Sequence, residues 1–123
     1  YFEFNDKVKN FKMHLVSLIT KLRNSGATIC GIGASTKGNV LLQYCNFSEN
    51  DISFIGDVNE DKFGCFTPGS LIPIISEKEV LSMKPDYLLI LPWHFKEHFI
   101  NRFNKYRLSG GKIIFPLPNI QIL

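Results

Sequence analysis

The sequence predicts a small α/β domain in which a doubly wound parallel sheet carries helices on both faces and is preceded by an N-terminal helix. Short, wholly apolar segments alternate with segments of helical periodicity, a pattern typical of strands that are buried on both sides. A run rich in glycine follows the first apolar segment and leads into a helix. With 123 residues, the chain is expected to form a single Rossmann-like domain.

Each predicted element follows from a local pattern. Apolar residues recur every three or four positions from Phe4 to Leu22, which predicts an amphipathic helix over residues 5–24 that ends at Ser25-Gly26. The predicted strands are 27–32, 52–56, 72–75, 87–91 and 113–115, with a final extended segment at 120–123. The further predicted helices are 39–45, with Val40, Leu41 and Leu42 packing inward, 77–83, with Ser76 as N-cap, and 96–106, closed by Gly110-Gly111. Residues 58–71 are predicted to be irregular.

Composition and charge exclude several classes of function. The net charge is +3 and the basic residues are scattered, which disfavours nucleic acid as a partner. No apolar stretch approaches the roughly 18 residues that a membrane span needs. We find no secretory signal, and the missing initial methionine suggests a segment of a longer protein. Together with an odd number of cysteines, these features predict a cytoplasmic protein.

The cysteines and histidines do not form a predicted metal site. Cys30, Cys45 and Cys65 show no CxxC or Cys/His spacing, and Cys30 and Cys45 are expected to be small buried hydrophobic residues. His14 and His98 fall within predicted helices and are expected at the surface.

Four segments that follow predicted strands should meet at one edge of the sheet. Ligands of doubly wound sheets bind beyond the carboxyl ends of the strands, at the point where the strand order reverses. The segment after the first strand is a candidate anion-binding loop because its glycines permit a sharp turn and the following helix start favours negative charge. A tight strand-to-helix turn is the alternative. The candidate residues of this loop are Gly31, Gly33, Ala34, Ser35, Thr36, Lys37, Gly38 and Asn39.

The spacing in this loop differs from two well-known phosphate-binding motifs. The third glycine falls two places too late for the dinucleotide fingerprint, and Lys37 precedes Gly38 instead of following a glycine as in a P-loop.

Other candidates follow later strands. Asp57 lies where a dinucleotide fold places an acid for ribose hydroxyls, although a solvated carboxylate is an equal alternative. Lys62 and the Pro68-Gly69-Ser70 turn are candidates to lie over a nucleotide, or Lys62 faces solvent. Trp93 offers an aromatic surface, and His94 a hydrogen-bonding group or base, with capping of the next helix as the alternative.

The motifs in order resemble one family. They are Gly33-Ala34-Ser35-Thr36-Lys37-Gly38-Asn39, Leu41-Leu42-Gln43-Tyr44, Pro68-Gly69-Ser70-Leu71-Ile72-Pro73, Leu91-Pro92-Trp93-His94-Phe95, and Gly110-Gly111-Lys112 with Phe115-Pro116-Leu117-Pro118. In this order they resemble the C-terminal domain of S-adenosylmethionine-dependent sugar C-methyltransferases. The resemblance spans nearly the whole chain. It implies a larger enzyme with a zinc-binding region and a central domain that holds S-adenosylmethionine, neither of which is present in this chain.

The resemblance also implies a reaction and a role for this domain. The family methylates C3 of a nucleotide-linked 4-keto deoxysugar: a base removes the proton next to the ketone, and the enolate attacks the methyl group. Base and methyl donor belong to the central domain, so this domain is expected to be catalytically silent and to bind the nucleotide sugar. The glycine-rich loop would then hold the diphosphate. Asp57, Asn59 and Lys62 would face the nucleoside, and Trp93, His94 and Phe95 the sugar or the neighbouring domain.

Two other functions remain open on the sequence alone. One is an independent NAD(P)-binding module, which the glycine spacing disfavours. The other is a structural or dimerising domain. We expect the first helix and the tail to pack against the missing methyltransferase domain, or against a second copy in a homodimer of the isolated chain.

Overall fold

The computed structural model describes residues 2–123, with side chains described from residue 6 onward, so the side chain of Phe4 lies outside the described residues. The helices are α1 (Phe2–Asn24), α2 (Thr36–Tyr44), α3 (Glu77–Ser82), α4 (Lys96–Arg102) and α5 (Asn104–Leu108). The strands are β1 (Ile29–Ile32), β2 (Ile55–Asp57), β3 (Ile74–Ser76), β4 (Tyr87–Ile90), β5 (Lys112–Phe115) and β6 (Gln121–Ile122). Short 3-10 turns occur at Glu60–Lys62 and Trp93–Phe95.

The strands form one sheet in the order β3-β2-β1-β4-β5-β6. The first five strands pair in parallel, and β6 pairs antiparallel with β5. The chain moves outward in one direction from β1 to β3 and in the other from β4 to β5, so the order reverses between β1 and β4. This is the predicted Rossmann-like arrangement, with one correction: the final segment forms an antiparallel edge strand.

The two faces of the sheet carry separate hydrophobic clusters. In β4, Leu89 faces the cluster that α1 and α2 cover, whereas Leu88 and Ile90 face the cluster of α3 and α4. Successive strand residues point to opposite faces, so a strand covered on both sides must be apolar throughout. Leu15 of α1 and Val80 of α3 are fully buried on their respective faces. The apolar strands of the sequence are therefore explained by a sheet with helices on both faces.

Two helix predictions are wrong in detail. Val40 was expected to pack inward and is 62% exposed, because α2 begins at Thr36 and its buried side carries Gly38, Leu41 and Leu42. The single helix expected over 96–106 is divided into α4 and α5 at Phe103, whose backbone leaves the helical region (φ −101°, ψ 22°). Its buried ring stacks on Phe99 with 6.1 Å between ring centroids, so the apolar periodicity continues across the break.

The cysteines confirm the predicted packing role. Cys30 lies in β1 and Cys45 directly after α2, and both are buried free thiols. Burial raises the pKa of each thiol, that of Cys45 to about 11. Neither thiol is therefore disposed to ionise at neutral pH.

None of the helices among the described residues combines the length and hydrophobicity that a membrane crossing requires.

Candidate functional site

A cavity of about 260 Å³ lies beyond the carboxyl ends of the parallel strands, where the strand order reverses. We call it the crevice. The segments after β1 and β2 form one side, and α3 and α4 form the other, with Pro92 after β4 between them. The crevice is lined by the predicted residues Gly33, Ala34, Ser35, Asp57 and Lys62, and by the unpredicted residues Glu77, His98, Phe99 and Arg102.

The glycines of the β1–α2 loop allow close packing on the end of β4. Gly33 has φ +88°, and a Cβ there would lie 2.6 Å from Cγ of Pro92. A Cβ at Gly38 would lie 2.6 Å from Cβ of Leu91. Both distances are shorter than packed atoms adopt, so a larger residue would push the loop and α2 away from β4. Packing alone therefore accounts for these two glycines, and their role toward a ligand stays a prediction.

The start of α2 presents two backbone donors without a protein acceptor. Ser35 is the N-cap, and its Oγ accepts a hydrogen bond of 3.1 Å from the N–H of Gly38. The N–H of Asn39 donates to the carbonyl of Ser35. Within residues 2–123, the N–H groups of Thr36 and Lys37 have no acceptor, and both side chains are exposed. With no acidic residue in the first turn, this helix end favours an anion.

Two charged side chains fix the β1–α2 loop from the side of β2, an arrangement we call the loop clamp. Asp57 Oδ2 accepts from the N–H of Ala34 at 2.8 Å, and Oδ1 accepts from the N–H of Asn59 at 2.8 Å. Lys62 Nζ donates to the carbonyl of Ala34 at 2.8 Å and lies 3.9 Å from Asp57 Oδ2. The carboxylate is thus turned toward the loop backbone, and Lys62 is not the free solvent-facing lysine of the alternative interpretation. The clamp holds the start of α2 in place.

Asn59 serves the turn that carries Lys62. Its Oδ1 accepts from the N–H of Asp61, which caps the 3-10 turn Glu60–Lys62. Asn59 is exposed and does not line the crevice. Its expected contact with a nucleoside stays a prediction.

An ion pair that the sequence analysis missed forms the opposite side of the crevice. Arg102 on α4 donates from Nε to both carboxylate oxygens of Glu77 at 3.1 and 3.0 Å, and from Nη2 to Oε2. These hydrogen bonds raise the pKa of the Arg102 guanidinium above its usual range. His98 lies one turn earlier on α4, exposed as predicted, and it also lines the crevice. The sequence offered no local signal for the ion pair, because its two residues lie 25 positions apart on different helices.

The Trp93-His94-Phe95 segment follows Pro92 but does not line the crevice. Trp93 is half-buried and packs against both hydrophobic clusters. His94 and Phe95 are exposed, with their ring centroids 4.3 Å apart. The alternative in which His94 caps α4 is wrong, because the N-cap is Phe95 and no side chain caps this helix.

The Pro68-Gly69-Ser70 turn lies elsewhere. Gln43 Nε2 donates to the carbonyl of Pro68 at 2.7 Å, and a Cβ at Gly69 would lie 2.9 Å from Cδ of Gln43. The turn lines a separate cavity with Asn46 and Ser48, beyond the last turn of α2. The structure therefore does not bring this turn to the crevice, because Gln43 holds it against the far end of α2.

A larger cavity, of about 490 Å³, lies at the opposite edge of the sheet beside Pro85 and Tyr106. Tyr106 Oη donates to the carbonyl of Pro85 at 2.6 Å, and burial raises the pKa of this phenol. No predicted site residue lines that cavity. Over the part of the chain that the structure describes, no group of three or more His, Cys, Asp or Glu side chains is arranged to hold a metal ion.

Comparison with known proteins identifies the family. The sequence model of the C-methyltransferase C-terminal domain matches residues 1–118. The chain is 32% identical over 123 residues to the C-methyltransferase NovU of Streptomyces niveus, an alignment that covers 100% of this chain and 29% of that relative. The chain thus spans less than a third of the length of the curated relative it matches. We conclude that the chain belongs to the C-methyltransferase C-terminal domain family.

Proposed function

We propose that this chain is the C-terminal, substrate-binding domain of an S-adenosylmethionine-dependent C-methyltransferase that acts on a nucleotide-linked keto deoxysugar. Membership of the family supports the methyltransferase part of the proposal. The observation that carries the binding role is the rigid start of α2, where the N–H groups of Thr36 and Lys37 are free and the loop clamp fixes the preceding turn.

The diphosphate of a nucleotide sugar suits this helix start. Two N–H groups and the positive end of the helix dipole attract a phosphoryl oxygen, and Lys37 adds a flexible cation next to them. The clamp lowers the cost of binding because the loop is already ordered before the ligand arrives. The nucleoside and the sugar would then extend from the diphosphate along the crevice. In this role the domain binds and orients the substrate.

The acid that would serve the ribose of S-adenosylmethionine is used by the loop backbone in this chain. A Rossmann-like site for an adenosyl group uses an acid at the end of the second strand for the ribose hydroxyls. The acid here, Asp57, turns one oxygen to the backbone of Ala34 and the other to the backbone of Asn59. We therefore assign the methyl donor, and the base for the reaction, to a separate domain that packs beside the crevice, and assign no step of the chemistry to this chain.

Calorimetric titration of the chain with a thymidine-diphosphate sugar, thymidine diphosphate and NAD tests the proposal. We expect both thymidine compounds to bind and NAD not to bind. NAD binding alone would indicate a dinucleotide-binding module instead, and no binding of any of the three would contradict a substrate-binding role for this chain.

The Lys37→Ala variant tests the assigned position. Loss of a charge-assisted contact of about 1.5–3 kcal/mol should weaken thymidine diphosphate binding by roughly tenfold to a hundredfold. Lys105→Ala is the matched control, since Lys105 is an exposed lysine beside the cavity at the opposite edge. Equal affinity of Lys37→Ala and the wild type would place the diphosphate elsewhere.

A further inference from the structure

We propose that Arg102, positioned by Glu77, is a second contact for the diphosphate, across the crevice from Ser35, the N-cap of α2. The inference rests on the proposed function and adds a specificity-determining residue to it. In this arrangement one phosphoryl group lies at the N–H groups of Thr36 and Lys37, and the other accepts hydrogen bonds from the guanidinium of Arg102.

The guanidinium has donors left for a ligand. Its pairing with Glu77 uses Nε and one N–H of Nη2. An arginine carries five N–H donors, so the two on Nη1 and one on Nη2 remain, and no protein acceptor contacts them in the described structure. The side chain of Arg102 is 39% exposed and lines the crevice, whereas that of Glu77 is 13% exposed. The less exposed carboxylate thus anchors one edge of the guanidinium and leaves the other edge free.

The charged side chains that line the crevice are paired, two acidic with two basic, so they do not repel an anion there. Glu77 is neutralised by Arg102, and Asp57 lies in the loop clamp with Lys62. A phosphate that enters the crevice therefore meets no unpaired carboxylate among the residues lining it, while the His98 imidazole offers a further polar group beside Arg102. Ile32 and Phe99 add apolar surface to the lining of the crevice. Hydrogen bonds to a phosphate are stronger in such surroundings than in open water.

The ion pair with Glu77 also lowers the entropic cost of binding a ligand through a long side chain. A free arginine loses rotamer entropy when a ligand fixes it. Two hydrogen bonds from Nε to the carboxylate fix the side chain before a ligand arrives. The planar, rigid guanidinium matches the oxygens of a phosphate, which a lysine at this position would not do equally well.

Comparison of thymidine diphosphate with thymidine monophosphate tests this assignment. Arg102 is assigned to the phosphoryl group that thymidine diphosphate has and thymidine monophosphate lacks. Arg102→Gln should therefore weaken binding of the diphosphate by about tenfold or more and binding of the monophosphate by less than about threefold. Arg102→Lys keeps the positive charge but loses the planar pair of guanidinium donors. Its affinity for the diphosphate should therefore lie between that of the wild type and that of Arg102→Gln.

Two controls separate a ligand contact from a purely structural tie between α3 and α4. Glu77→Gln removes the charge of the pair, but its amide oxygen can still accept from Nε of Arg102 and hold the guanidinium, so it should lower the thermal midpoint while weakening diphosphate affinity by about threefold at most, less than Arg102→Gln does. Lys105→Gln removes one positive charge at the opposite edge and should bind as the wild type does. Equal loss of affinity in Glu77→Gln and Arg102→Gln would overturn the inference. So would wild-type affinity in Arg102→Gln, and that result would leave the proposed function intact. Failure of the wild type to bind thymidine diphosphate would overturn both.

Discussion

Replacement of Asp57 by alanine removes the acidic half of the loop clamp. The carboxylate accepts two backbone hydrogen bonds of 2.8 Å, from Ala34 and from Asn59, and its side chain is 10% exposed. Hydrogen bonds to charged groups contribute about 1.5–3 kcal/mol each. Water can replace the bond to the exposed Asn59, but Ala34 is only 6% exposed and its N–H would lose its partner. We therefore expect Asp57→Ala to lower the free energy of unfolding by about 2–3 kcal/mol.

Urea unfolding measures the stability, and titration with thymidine diphosphate measures the consequence for the site. The matched control is Asp86→Ala at the opposite edge, where Oδ2 accepts from the N–H and Oγ1 of Thr28 at 2.8 and 3.2 Å. Thr28 is exposed, so this change should cost only about 1 kcal/mol and leave diphosphate affinity unchanged. Asp57→Ala should weaken the affinity by about tenfold because the start of α2 is no longer fixed. A stability loss no greater than that of Asp86→Ala, with unchanged affinity, would refute the clamp.

Three further predictions concern packing and the cysteines. Gly38→Ala should lower stability by about 1–3 kcal/mol in thermal unfolding, because its Cβ would lie 2.6 Å from Cβ of Leu91; a gain, the usual effect of this change in a helix, would contradict the packing. Stability should fall as the pH rises from 9 to 11, because burial raises the pKa of Cys45 from 9.0 to about 11 and the unfolded state loses its proton first. The Cys45 contribution is at most about 2.7 kcal/mol, and an equally steep decline in Cys45→Ala would exclude it. Iodoacetamide at pH 8 should modify the exposed Cys65 and spare Cys30 and Cys45, which peptide mapping checks. Modification of Cys30 or Cys45 before Cys65 would contradict their assignment to the core.

The fold was predictable because burial on both faces leaves a strong local signal. Each strand between β1 and β5 is apolar over its buried part, and glycine or proline marks most connections between strands and helices, although residues 45–54 between α2 and β2 contain neither. The sequence pattern alone indicated that Ser76 is the N-cap of α3. The structure confirms this, because Ser76 Oγ accepts a hydrogen bond from the N–H of Glu79. The break at Phe103 was not predictable because its ring stays in the core on either side of the break. The direction of β6 depends on how the chain returns after β5, for which the last residues carry no periodic pattern.

The candidate site was predictable only in part. Asp57 and Ala34 meet because the carboxyl ends of neighbouring parallel strands share one edge of the sheet, which topology alone indicates. The Glu77–Arg102 pair joins residues 25 positions apart on different helices, so no local spacing reveals it. The Pro68-Gly69-Ser70 turn was predicted to lie over the crevice only because it follows β2, whereas contacts of Gln43 with Pro68 and Gly69 direct it to the other end of α2.

Backbone amide shifts during titration with thymidine diphosphate test the central claim most directly, because they report where on the chain the diphosphate binds. We predict that the largest changes occur at the N–H groups of Thr36 and Lys37, which have no protein acceptor in the described structure, with smaller changes at Ala34 and little change at residues 84–86 at the opposite edge. Largest changes at residues 84–86, or none at the start of α2, would contradict the account.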